Sequence, residues 1–112
     1  MHGLLHDATE AYCVDVPRPL KPFLSNYKDI EARNWIAIAD RFRLSHGLPE
    51  AVHEADNRII ADELVNMHPM EWHSKWDDPL GVTIGCWHYN SAKKAFLEEF
   101  AILSSLIPCQ PA

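Results

Sequence analysis

Apolar positions recur at helical spacing in four stretches of the chain. Leu4, Leu5, Ala8, Ala11 and Tyr12 repeat at that spacing while His6, Asp7, Thr9 and Glu10 fill the intervening positions, which predicts a first helix of about three turns. Ile30, Trp35, Ile38, Ala39 and Phe42 predict a second helix over roughly 26–43, with Gly47 and Pro49 ending and restarting the chain. From Pro49 a third helix carries Val52, Ala55, Ile59, Ile60, Leu64 and Met67 on one stripe, and Pro69 stops it. Asn90-Ser91 offers a cap for a last helix bearing Ala95, Phe96, Phe100, Ala101 and Leu103, which Pro108 terminates.

Two segments break the period. Val16-Pro17-Arg18-Pro19-Leu20-Lys21-Pro22 reads as an ordered connector, because three prolines remove backbone donors and push their predecessors toward extended conformations. From His68 to Tyr89 turn residues, two adjacent aspartates and three tryptophans predict a long loop with one helical turn. Gly81-Val82-Thr83-Ile84 resembles a strand but has nothing to pair with. The expected class is therefore all-α, a compact helical bundle forming one domain over residues 1–112.

Length and charge narrow the reading further. A chain of 112 residues has room for one modest core. Its net charge of -6 excludes a broad electrostatic grip on a nucleic-acid polymer. No apolar run approaches the ~18 residues of a membrane span, and no basic region followed by an apolar stretch opens the chain, so a cytoplasmic protein without membrane contact is expected. Cys13, Cys86 and Cys109 are odd in number and far apart, which suggests neither a disulfide framework nor a close-spaced zinc motif.

The candidate chemistry starts at His6-Asp7, where an imidazole nitrogen beside a carboxylate suits a divalent transition metal. Such a dipeptide also arises by chance, so its context matters. Glu10 follows three and four positions later and shares a helix face with the pair. Asp56 lies between Ala55 and Ile59, close to a buried stripe, where a carboxylate requires a partner; Arg58 or Arg33 are the obvious ones. His53, one turn before Asp56, reads as a solvated histidine.

Taken in order, Leu4-Leu5-His6-Asp7-Ala8-Thr9-Glu10-Ala11-Tyr12, Asp15 and Pro19-Leu20-Lys21 resemble the HD-domain metal-dependent phosphohydrolases, and most closely their nucleotidase branch. Glu54-Ala55-Asp56 with Ile59-Ile60-Ala61 is similar to the segment bearing that family's closing aspartate. Trp87, Ala92, Ala95, Phe96-Leu97 and Phe100 resemble the closing helix of short bacterial and phage-encoded members. The likeness spans nearly the whole chain, and order, spacing and helix placement agree.

The resemblance implies a divalent metal ion (Mn, Co, Zn, Fe or Mg) held by two histidines and two aspartates, of which His6, Asp7 and Asp56 are matched here. The metal would neutralise phosphate oxygens and acidify a water that attacks phosphorus. Glu10 would orient that water or exchange its proton, and Asp15 would accept from a sugar hydroxyl or hold the water. Arg18 and Lys21, on the rigid connector, would aim cations at a phosphate. The implied activity is hydrolysis of phosphate esters or anhydrides of nucleotides, foremost deoxynucleotides.

The family's other histidine lies well upstream of the His-Asp pair, whereas only five residues precede His6 here. That departure agrees with the abrupt start of the first helix, which has no Ser, Thr, Asp or Asn cap, and the expectation is an N-terminally truncated bundle. His2, one turn before His6, is a candidate substitute. Trp72, Trp76 and Trp87 read as core-completing, with base stacking as the alternative, and His68, His73 and His88 are not read as a separate metal site. Two other readings stay open: a catalytically incomplete chain that binds nucleotide or a partner without turnover, and a helical interaction module whose uncovered apolar surface drives homodimerisation.

Overall fold

In a computed structural model of the chain, which describes residues 1–64, 68, 71–75 and 77–107, the fold is all-α. Five α-helices follow in order: α1 (His2–Leu5), α2 (Glu10–Cys13), α3 (Tyr27–Phe42), α4 (Glu50–Glu63) and α5 (Tyr89–Ser105). Single turns of 3-10 helix at Lys21–Phe23 and Glu71–Lys75 punctuate the connector and the long loop. Among the described residues there is no strand, and no helix is long and apolar enough to cross a membrane.

The expected first helix is two short ones. Between α1 and α2 the amides of Ala8 and Glu10 bond back three residues, to Leu5 and Asp7, rather than four. His6 explains the break: its Nδ1 lies 2.8 Å from the Gly3 carbonyl, the acceptor that the Asp7 amide would take in an unbroken α-helix. A side chain competing for the ladder thus ends α1 at the residue pair of chemical interest.

α3 keeps the predicted span within a residue at each end but stops differently. Arg43, at φ 57°, occupies the left-handed position expected of a glycine; its amide bonds to the Asp40 carbonyl and that of Leu44 to Ala39 at 2.8 Å. This 6→1 and 5→2 pair closes the helix four residues before Gly47. α4 begins one residue after Pro49, as the proline requires. For α5 the cap is His88 rather than Asn90-Ser91, its Nδ1 accepting from the Asn90 amide at 3.3 Å. Met67, Pro69, Trp76, Pro108 and Cys109 lie outside the described residues, as do the side chains of Trp72 and His73.

The core is thin. Among the described residues, Leu5, Tyr27, Ile38 and Ala39 are its buried hydrophobic members, and α5 buries no residue fully. α1 lies against α4 closely enough that a Cβ on Gly3 would come 4.0 Å from Val52. Phe42 and Phe100 meet edge to face at 5.5 Å, joining α3 to α5. Trp87 does not complete the core. It is 66% exposed at the start of α5, on the far side of a segment whose anchor lies upstream.

That anchor is Asp62, a buried carboxylate on the inner face of α4. It accepts the amides of Leu80 at 2.7 Å and of Gly81 and Val82 at 3.0 Å each. Gly81, at φ 78°, provides the backbone turn that lets three successive amides converge. Arg58, one turn earlier, donates to the carbonyls of Asp78 and Pro79. The strand-like stretch is therefore an extended strap satisfied by side chains of α4 instead of by a sheet.

Charge-assisted bonds of this kind carry about 1.5–3 kcal/mol each, with losses that do not add fully. Asp62→Ala should lower stability in urea unfolding by about 3 kcal/mol. Asp62→Asn, which keeps an acceptor for Gly81 and Val82 but turns a donor toward Leu80, should lose about half as much. Equal stability of all three chains would contradict the strap.

Candidate metal centre

Three side chains from two elements converge where α1 ends against α4. His6 Nε2 lies 3.1 Å from Asp7 Oδ2 and 3.5 Å from Asp56 Oδ1. One donor atom from each of His6, Asp7 and Asp56 falls within 4.8 Å of the others. The turn after α1 supplies the first two, and α4 presents Asp56 from its inner edge.

The tautomer of His6 gives this grouping its meaning. A carbonyl only accepts, so the bond to Gly3 assigns the Nδ1 proton. Nε2 of a neutral ring then carries a lone pair facing two carboxylate oxygens. Three acceptors face one another, an arrangement that a cation or a second imidazole proton stabilises. One nitrogen and two carboxylates are the donor set of Zn, Mn, Co or Fe sites, and bonds of about 2.1 Å place neighbouring ligand atoms about 3.0–3.4 Å apart. The spacing around His6 fits a divalent ion.

Electrostatics sharpen the same point. Burial holds the Asp7 carboxyl above the usual carboxylate range; the His6 imidazole pulls against this shift, and the Asp56 and Asp15 carboxylates add to it. Glu10 is raised as well, by burial first and then by the neighbouring carboxylates of Asp7 and Asp15. Four carboxylates thus crowd one end of the molecule.

Arg18 reaches into this cluster. Its guanidinium lies 3.4 Å from Asp56 Oδ2 and 3.0 Å from Asn57 Oδ1. Asp56 is therefore paired with Arg18 and His6 and not with Arg58 or Arg33: Arg58 is engaged by Glu54, Asp78 and the strap carbonyls. Lys21 pairs with Glu31 at 3.4 Å and sits 5.5 Å from the centre of the Tyr27 ring. Its charge still lowers the pKa of Asp7 and Glu10.

Other candidates fall elsewhere. His2 Nε2 lies 3.1 Å from Ser45 Oγ and 3.2 Å from the Ser45 carbonyl, with its ring 6.3 Å from Trp35, so its imidazole is turned to the loop after α3. His53 is exposed on α4 outside the grouping, His88 caps α5, and His68 is exposed. Asp62 is the consequential residue that the sequence reading passed over. It shares a face of α4 with Ala55 and Ile59, so the rule that singled out Asp56 applied to it with equal force.

Comparison with known proteins adds one relative and no family. The chain is 42% identical over 61 residues to "Uncharacterized protein YfdR" of Escherichia coli (strain K12). The matched stretch is 54% of this chain and 34% of that protein, so the chain spans about a third of the relative's length. No protein-family model matches the chain. No solved structure matches it either.

The shifts of Asp7 and Glu10 have a definite sign in stability. A carboxyl whose pKa is higher folded than unfolded binds more protons in the native state, so raising the pH from 3.8 through the folded value removes stability, and the whole cost is present at neutral pH. In chelator, Asp7→Asn should therefore melt higher than the parent chain at pH 7, by less than about 1 kcal/mol because Asp7 is largely exposed. Well below the unfolded pKa the two should melt together. A lower melting temperature for Asp7→Asn at pH 7 would contradict the crowding.

Proposed function

We propose that the chain carries the metal-binding face of an HD-type phosphohydrolase acting on nucleotides, foremost deoxynucleotides. The observation that supports it best is the His6 geometry: Nδ1 committed to Gly3, and Nε2 facing Asp7 and Asp56 at 3.1 and 3.5 Å. His6, Asp7 and Asp56 would hold a divalent ion (Mn, Co, Zn, Fe or Mg), which when bound supplies charge for phosphate oxygens and acidifies water.

The remaining work falls to side chains already at hand. Glu10 lies beside Asp7, with its carboxyl raised by burial and by Asp7 and Asp15; it orients the attacking water and takes its proton. The water oxygen bonds to phosphorus as the ester or anhydride oxygen leaves with the electron pair and takes the proton that Glu10 accepted. Asp15, whose carboxylate acts on Glu10, holds the water or accepts from a sugar hydroxyl. Arg18, anchored on Asp56 and Asn57, bridges the ligand carboxylate to a phosphate oxygen, and Lys21 adds charge from the connector.

A second reading, nucleotide binding without turnover, is favoured by one observation: three ligands converge and His2 is turned to Ser45. Phosphate release separates the two. With deoxynucleoside mono- and triphosphates and Mn, Co, Zn or Mg supplied separately, the phosphohydrolase reading expects metal-dependent release. Alanine at His6, Asp7 or Asp56 should cut it by about 100-fold or more at unchanged helical circular dichroism. Arg18→Ala should raise KM by about tenfold. Release that survives both Asp7→Ala and Asp56→Ala would overturn the site, and saturable binding with no release would support the second reading.

A further inference from the structure

Among the described residues, Val14 and Arg43 are the non-glycine residues at positive φ, and Val14 is the β-branched one. It ends α2 at φ 60° and ψ 141°, outside the regions a β-branched residue ordinarily occupies. Its side chain is 70% exposed, so packing does not hold it there. A restraint does act on its backbone: the Tyr27 hydroxyl, in the first turn of α3, donates to the Val14 carbonyl at 2.6 Å. Tyr27 is 8% exposed, and its hydroxyl is pushed up to about 12, by burial first and then by Cys13, Glu31 and Asp15, so it remains a donor at every physiological pH.

The next residue is Asp15. Val14 in this conformation sets the direction in which the chain leaves α2, and the Asp15 carboxylate lies near enough to Glu10 and Asp7 to act on both. In the β region that Val14 prefers, the chain would leave α2 in a different direction. Tyr27 has a second link to the same group of residues, since the Lys21 ammonium rests 5.5 Å from its ring centre.

We propose that Tyr27 is a positioning residue for the candidate metal centre: its hydroxyl holds the Val14 carbonyl, and through that strained turn it keeps Asp15 beside Glu10 and Asp7. The role given to Asp15 rests on the phosphohydrolase reading above. The restraint on Val14 does not.

Tyr27→Phe removes only the hydroxyl, and two readouts follow it. The one-bond Cα–Hα coupling of residue 14, which distinguishes positive from negative φ, should change from the positive-φ value in the parent chain to the negative-φ value in the variant. Manganese titrated into labelled protein should broaden the amides of His6, Asp7 and Asp15 in the parent chain. In Tyr27→Phe the broadening at Asp15 should fall severalfold, while that at His6 and Asp7 and the manganese affinity stay within about twofold, and kcat for phosphate release should fall about tenfold.

Adding Val14→Gly to Tyr27→Phe should restore the Asp15 broadening to within about twofold, because glycine adopts this φ without penalty. A generally loosened structure would not be rescued by a more flexible residue. Retention of positive φ in Tyr27→Phe overturns the proposal. So does manganese bound at His6 and Asp7 with Asp15 broadening unmoved. Manganese that leaves His6 and Asp7 unbroadened in the parent chain overturns the metal reading, and with it the role of Tyr27 at that centre.

Discussion

The hydrogen bond from His6 Nδ1 to the Gly3 carbonyl acts twice. On the backbone it takes the acceptor that would have continued α1, so the chain turns at His6-Asp7 and restarts as α2. On the imidazole it fixes the proton and leaves Nε2 facing Asp7 and Asp56. The helix break and the donor set are one event.

Stress and its compensation are separated in the molecule. The segment from the end of α1 to the end of α2 gathers unfavourable features: carboxyls of Asp7 and Glu10 raised by burial and by neighbouring carboxylates, and a valine held at positive φ. The offsetting interactions lie at a distance, in the three amides gathered by Asp62, the paired carbonyl closures at the end of α3, and the Phe42–Phe100 contact. Because buried apolar side chains are few, these polar devices carry an unusual share of the tertiary order.

Much of this could be read from the residues. The long helices α3, α4 and α5 follow their periods, and Pro49 marks the start of α4 to within a residue, because local sterics and an apolar stripe decide those elements. The His6, Asp7 and Asp56 grouping was expected from a family resemblance, and the fold brings the three side chains together. What escaped depends on contacts distant in sequence. The partner of Asp56 is Arg18, thirty-eight positions away, whereas proximity in sequence pointed to Arg58. The strap on Asp62 spans eighteen to twenty positions. The break in the first helix turns on a single rotamer, which no periodicity encodes.

The central claim is that His6, Asp7 and Asp56 form a cation site, and anomalous diffraction tests it most directly. Crystals of the chain grown with manganese should show an anomalous difference peak bonded to His6 Nε2 and to one oxygen each of Asp7 and Asp56. A fully occupied manganese peak bonded elsewhere, or none in crystals that keep His6 within reach of both carboxylates, would contradict it.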